Sequence, residues 1–185
     1  MERLPEIETN RLVLGTLETT DIPLIVKYAS NKNVSDNTQN IPFPYSEKDA
    51  AKWINLAREG LKNKTNYIFA IRLKSHATFI GGIGLTIDQK SLRAEMGYWI
   101  AEPFWNTGYT TEAAEAIIKF AFEELGLNKI TSSHFEKNPA SGKVVIKCGM
   151  TQEGILKEHI YKSPAFHTLV LYGLTRADYT KNNSL

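Results

Sequence analysis

The stretch from Gly108 to Leu125 limits what this chain can fold into more than any other. It carries Ala113, Ala114, Ala116, Ile117, Ile118, Phe120, Ala121, Phe122 and Leu125. These apolar residues cover most of a helical circumference rather than one stripe, so the pattern predicts a helix packed deeply against other elements. Gly126 is placed to end it. A strand-like run lies on each side, Arg93 to Ala101 (RAEMGYWIA) before it and Lys129 to Phe135 after it. A strand, a long helix and a second strand make a parallel pair with a right-handed crossover.

The remaining segments fill in around that unit. Arg11 to Leu17 alternates polar and apolar residues as a half-buried strand does. Thr19 or Thr20 with Asp21 can cap a short helix running to Ala29, and the Asn- and Pro-rich residues 31–44 read as a loop. Ser46 and Asp49 resemble a capping box. The helix behind them repeats Ala50, Trp53, Ile54, Ala57 and Leu61 at close to helical period. Tyr67 to Leu73 and Thr78 to Thr86 are strands joined by the hairpin-length loop Lys74 to Ala77. Asn138 to Cys148 is a second short helix closed by Gly149. Glu153 to His159 and His167 to Thr175 are the last two strands. Strands in succession pair antiparallel. The expected fold is therefore α+β over residues 1–185 as one domain, with a mixed, mostly antiparallel sheet and helices on both faces.

Charge narrows the partners. The 185 residues include 22 basic and 20 acidic side chains, a formal charge of +2. Nucleic-acid binders usually carry a larger, clustered excess, so no nucleic-acid partner is expected. No stretch approaches the ~20 apolar residues that cross a bilayer, so no membrane partner is expected either. Cys148 is the single cysteine and cannot make an internal disulfide. With no apolar leader in MERLPEIETNRLVL, the expectation is a cytoplasmic protein.

The chemistry concentrates where the strand hands over to the long helix: Trp99, Ile100, Ala101, then Asn106, Thr107, Gly108, Tyr109, Thr110 and Thr111. The free N–H groups of a helix's first turn attract anions. Gly108 lets backbone approach a phosphate, and Thr110 and Thr111 add hydroxyl donors. By itself this is a common kind of junction, and most such junctions bind nothing. Gly81, Gly82 and Gly84 have no helix behind them and fit close packing or a bulge inside a strand. His76, His134, His159 and His167 lack ligand spacing with one another or with Cys148, so no metal is expected. Cys148 fits a buried structural thiol better than a nucleophile. Phe43, Pro44 and Tyr45 either line an acceptor site or form an ordinary packed loop.

The stretch EMGYWIAEPFWNTGYTTEA, followed by a long helix, strongly resembles the GCN5-related N-acetyltransferase (GNAT) superfamily. Within it the chain is most similar to the ribosomal-protein N-terminal acetyltransferase (RimJ/RimL-like) branch. ETNRLVL, FIGGIGL, NPASGKVVIKCGM, EGIL and the ending Tyr172 to Tyr179 follow in the branch's order. The resemblance implies two splayed central parallel strands, here 94–101 and 129–135. It implies that the pantetheine arm of acetyl-CoA enters the gap near Trp99, Ile100 and Ala101, with the pyrophosphate over Asn106 to Thr111. Asn106 stands where the branch commonly has glycine, and Thr110 is bulkier than the usual small residue. Asn138 and Ser141 match an N-x-x-S motif, implying Asn138 on the pantetheine and Ser141 near the sulfur. Asn138 is equally an ordinary helix cap ahead of Pro139.

Acetyl transfer to an amine needs a proton acceptor for the amine, stabilisation of the carbonyl oxygen and an acid for the departing thiolate. Ser141 is the candidate acid. Glu95 and Glu158 are candidate bases, although Glu95 can instead pair with Arg93 and Glu158 can be a solvated strand residue. The expected activity is N-acetyl transfer from acetyl-CoA, as cosubstrate, to a primary amine. That amine is either a protein N-terminus such as a ribosomal protein's, or a small molecule such as an antibiotic or polyamine. A non-catalytic acyl-CoA-binding module is the competing reading, and monomer and homodimer are both open.

Overall fold

The computed structural model describes residues 4–162 and 164–183. Its strands are β1 (Ile7–Glu8), β2 (Leu12–Gly15), β3 (Asn66–Leu73), β4 (Phe79–Asp88), β5 (Arg93–Ile100), β6 (Lys129–Phe135), β7 (Thr151–Lys162) and β8 (Ala165–Thr175). Its helices are α1 (Ile22–Ala29), α2 (Lys32–Asp36), α3 (Glu47–Asn63), α4 (Tyr109–Glu123), α5 (Pro139–Lys147) and α6 (Arg176–Asn183). The eight strands form one sheet in the order β1-β2-β3-β4-β5-β6-β8-β7. Every pairing is antiparallel except β5 with β6. The mixed α+β sheet with one central parallel pair follows the sequence expectation.

Residues 31–44 are not all loop. Asn31 caps α2 by accepting from the Asn33 N–H at 2.8 Å. A five-residue helix carries too little periodicity to show in a sequence, and its polar run resembles a loop. β1, too short for any pattern, and α6 were likewise not anticipated as separate elements. Ser46 and Asp49 do form a reciprocal capping box on α3.

The sheet separates two cores because strand side chains alternate between faces. On one face α4 and α5 pack over Phe69, Ile71, Leu85, Met96 and Ile130. On the other, α1 and α3 pack over Ala70 and Phe79, with Trp53 and Trp99 at the margin. In α4, Ala113, Ala114, Ile117, Ile118, Phe120, Ala121 and Phe122 are all buried, as the apolar circumference required. Arg176 finishes the helix by donating to the carbonyls of Phe122 and Leu127, which places its charge at the negative end. Gly126, at φ 68°, turns the chain toward β6.

The β4 glycines answer to packing. A Cβ on Gly81 would lie 2.3 Å from the Trp99 carbonyl oxygen, and one on Gly82 would lie 2.6 Å from the Trp53 ring. β3 and β4 also shift register beside Gly81. Gly81→Ala is therefore expected to destabilise the fold by about 1–3 kcal/mol, because the obstacle is backbone and cannot rotate away. A thermal or urea melt checks this, and an unchanged midpoint would refute it.

Candidate active site

Three features of the fold make the site. The first is the parting of β5 and β6. Their ladder runs only from Arg93↔Lys129 to Glu95↔Thr131. From its last rung onward, side chains take over from backbone. Thr131 Oγ1 donates to Ala94 O at 3.3 Å and Ser132 Oγ to Met96 O at 2.9 Å. These contacts show that Ala94 and Met96 turn their backbone toward β6. By strand alternation Tyr98 and Ile100 do the same. Trp105 Nε1 donates to Ile100 O at 2.8 Å. The Tyr98 N–H and C=O and the Ile100 N–H are left facing the gap without a ladder partner. The Ala101 N–H points the other way and donates to Ile80 O at 2.8 Å.

The second feature is the turn into α4. Gly108 is the N-cap at φ 84° and Asn106 lies at φ 60°, both in the left-handed region. Glycine enters it freely and asparagine is among the side chains that tolerate it best. This explains how Asn106 serves where a glycine would be expected. The first internal bond is Glu112 N–H to Gly108 O, so the N–H groups of Tyr109, Thr110 and Thr111 have no intrahelical acceptor.

Arg11 braces this turn. Its Nη1 donates to Thr107 O at 3.0 Å and its guanidinium lies 4.5 Å from the Tyr109 ring centroid. Its Nε and main-chain N–H each donate to Glu112 at 2.7 Å, and Thr9 donates there at 2.6 Å. Burial pushes the Glu112 carboxyl up, but these donors outweigh it and hold the group below its ordinary range.

The third feature is the N-terminus of α5. Asn138 caps it, its side chain accepting from the Ser141 N–H at 3.4 Å while its amide donates to Asn37 O at 3.3 Å. Ser141 Oγ is 3.1 Å from the Tyr98 hydroxyl, which itself donates to Ser141 O at 2.9 Å. Burial, only partly opposed by the bond from Ser141, pushes the Tyr98 hydroxyl up to about 12.

These features enclose one cleft of about 440 Å³ between β5, the α4 turn, α5 and α2. Of the residues singled out in the sequence, Trp99, Ile100, Asn106, Gly108, Thr110, Thr111, Asn138 and Ser141 line it. Ala101, Thr107 and Tyr109 are not among its lining residues. Trp105 lines it too, and among the lining residues that the sequence did not single out are Tyr98, Lys143 and Lys147. The two lysines, four apart on α5, put positive charge along the cleft, and that spacing was their only signal in the sequence.

Glu95 lies outside the cleft, where the strands part. It shares a face with Gly97 and Trp99, the α1–α3 side, and Ser133 Oγ donates to it at 3.3 Å. Gln39 in turn donates to Ser133 at 3.1 Å. Arg93 pairs with Asp88 instead of Glu95. Glu158 is exposed in an irregular part of β7, at φ 48°, with its N–H bonded to Thr168 Oγ1.

Cys148 is pushed up to about 12, chiefly by burial, and sits 3.9 Å from Thr111 O. Tyr45 belongs to the core, whereas Phe43 is exposed. Among the described residues no three His, Cys, Asp or Glu side chains gather to hold a metal. Among the same residues no helix is long and apolar enough to cross a membrane.

Comparison with known proteins identifies the domain. The model of the GNAT acetyltransferase domain matches residues 11–151. The uncharacterised N-acetyltransferase YoaA of Bacillus subtilis is 27% identical over 93% of this chain and 97% of its own. The ribosomal-protein-serine acetyltransferase of Escherichia coli is 26% identical over 81% of this chain and 84% of its own. RimL, a ribosomal L7/L12 alpha-N-protein acetyltransferase solved with coenzyme A, shares the fold. Its TM-score is 0.84 over 92% of this chain and 98% of its own, at 17% identity. A parted strand pair, a glycine-opened helix start and a capped second helix around one cleft thus coincide with a domain match over most of the chain, which belongs to the GNAT family of acetyl-CoA-dependent N-acetyltransferases.

Proposed function

We propose that this acetyltransferase acts on the α-amine of a protein N-terminus, of the kind a ribosomal protein presents. The observation that carries this reading is the gap between β5 and β6, which joins two faces of the sheet. The face under α5 holds the cleft with Ser141. The opposite face holds Glu95, the last β5 residue in the parallel ladder. Beside it a Cβ on Gly97 would meet nothing within 4 Å, so the approach to the gap is open. An extended peptide can lie across such a surface with one amine directed at one carboxylate. The likeness to an E. coli enzyme named for ribosomal-protein serine supports the same acceptor class.

In this reading the N–H groups opening α4 hold the pyrophosphate of acetyl-CoA, and Lys143 and Lys147 add charge for its phosphates. The ladder-free groups of Tyr98 and Ile100 receive the pantetheine amides and polarise the thioester carbonyl. Glu95 takes the proton of the amine, and Ser141 supplies one to the departing thiol.

Thiol release from acetyl-CoA tests the acceptor. A short peptide with a free N-terminal serine is expected to support turnover, and the same peptide with a blocked terminus is not. Turnover with spermidine and none with either peptide would assign a small amine instead. Glu95→Gln is expected to lower kcat by about 10²-fold. The same change at Glu158 serves as its comparison. If kcat falls only in the Glu158 variant, the base is Glu158.

A further inference from the structure

We propose that Tyr98 is a positioning residue for Ser141, fixing its hydroxyl at the cleft floor and resupplying the proton it gives to the leaving thiol. This rests on the reading of Ser141 as the acid. The geometry that motivates it is reciprocal. Tyr98 Oη lies 3.1 Å from Ser141 Oγ and 2.9 Å from Ser141 O, so one phenol oxygen contacts both polar ends of one residue. A phenol has one proton and two lone pairs. It can give its proton to the carbonyl while accepting from Oγ. Rotation about the C–O bond turns the same proton toward Oγ without moving a heavy atom.

The chemistry explains why serine needs this partner. When the tetrahedral adduct collapses, the C–S bond breaks and its electron pair stays on sulfur. Sulfur takes the Oγ proton. A lone serine would then carry an alkoxide, a far stronger base than a phenolate. With Tyr98 in place, Oγ takes the Oη proton as it loses its own, and the charge rests on the ring oxygen. The proton shed by the attacking amine, carried through the base and water, restores the phenol. The sum is one amide and one thiol, with every proton accounted for. A phenol is protonated at neutral pH, so the proton is present when the step begins, and burial, which pushes this one up to about 12, makes the phenolate short-lived and quick to be reprotonated. Tyr98 also joins the two walls of the cleft, because Ser141 stands on α5 and Tyr98 on β5.

Tyr98→Phe keeps the ring and removes only the hydroxyl. The assay is thiol release from acetyl-CoA, using the serine peptide or spermidine, whichever turns over faster, with calorimetric binding of acetyl-CoA alongside. The expected result is a kcat lower by at least about ten-fold, with the Kd for acetyl-CoA within about two-fold of wild type. The Tyr98→Phe/Ser141→Ala double variant should be no slower than Ser141→Ala alone, because both changes cut the same relay. Wild-type kcat in Tyr98→Phe beside an inactive Ser141→Ala would overturn the proposal. So would losses that multiply in the double variant, or a weakened Kd with unchanged kcat. Wild-type turnover in Ser141→Ala itself would instead remove the assignment of Ser141, and the relay with it.

Discussion

Ser141→Ala is expected to lower turnover by about 10²- to 10⁴-fold, the range a positioned acid contributes, while acetyl-CoA still binds. The two effects separate because Ser141 supports the cleft and the chemistry through different atoms. Its main-chain N–H is capped by Asn138 and its carbonyl receives the Tyr98 hydroxyl. Alanine keeps both groups and is a better helix former than serine. Only Oγ is lost, and its hydrogen-bond partner among the described residues is the Tyr98 hydroxyl. Stability should therefore stay within about 0.5 kcal/mol of wild type. Calorimetry with acetyl-CoA measures binding and thiol release measures turnover. Loss of both together would mean that the cleft had collapsed, and loss of neither would mean that another group protonates the sulfur.

The sequence was most legible where pattern and geometry share a period. α4 announced itself because apolar residues cover most of its circumference and leave only a narrow exposed stripe at Glu115, Lys119 and Glu123, and the flanking strands then required a parallel pair. The cap at Ser46 and the turn at Gly126 were readable because each requires a particular side chain or backbone freedom. The site was legible in outline, since the turn at Gly108 and the cap at Asn138 are local features. What escaped depends on contacts distant in sequence. Tyr98 alternates inward on β5 like any strand tyrosine, and only the fold sets Ser141, 43 residues away, against its hydroxyl. Arg11 and Glu112 are 101 residues apart and each reads alone as an ordinary surface charge. The direction of each backbone group at the gap is also a tertiary fact. It depends on which neighbour β5 has lost, so the sequence pointed to Trp99, Ile100 and Ala101, while the free groups belong to Tyr98 and Ile100.

Arg11→Ala is expected to weaken acetyl-CoA binding by roughly 5- to 30-fold, about 1–2 kcal/mol, although Arg11 lies outside the cleft lining. The loss comes from the turn it braces. Asn106 and Gly108 both hold positive φ, and the guanidinium ties the Thr107 carbonyl between them to Glu112 in the first turn of α4. Without that fork the N–H groups of Tyr109 to Thr111 are no longer held ready for an anion, and ordering them becomes part of the cost of binding. Arg11→Lys should recover little, because an ammonium cannot reach two acceptors along the same plane or cover the Tyr109 ring as a guanidinium does.

A pH signature accompanies the change. Glu112 is held below its ordinary range in the folded chain. Its contribution to stability is therefore present above the unfolded carboxyl pKa and lost as pH falls through the folded one. Removing the Arg11 side chain leaves burial to push Glu112 upward against fewer donors. Acid unfolding should then begin at a higher pH than in wild type, and Glu112→Gln should abolish that difference between the Arg11 variant and its parent. Because the Arg11 side chain is 42% exposed, solvent screens part of this effect, and the shift in acid midpoint should shrink further in high salt. If acetyl-CoA affinity and the acid midpoint are both unchanged in Arg11→Ala, the turn holds itself and the brace is incidental. If affinity falls while the midpoint stays, Arg11 acts through its charge on the phosphates instead of through Glu112.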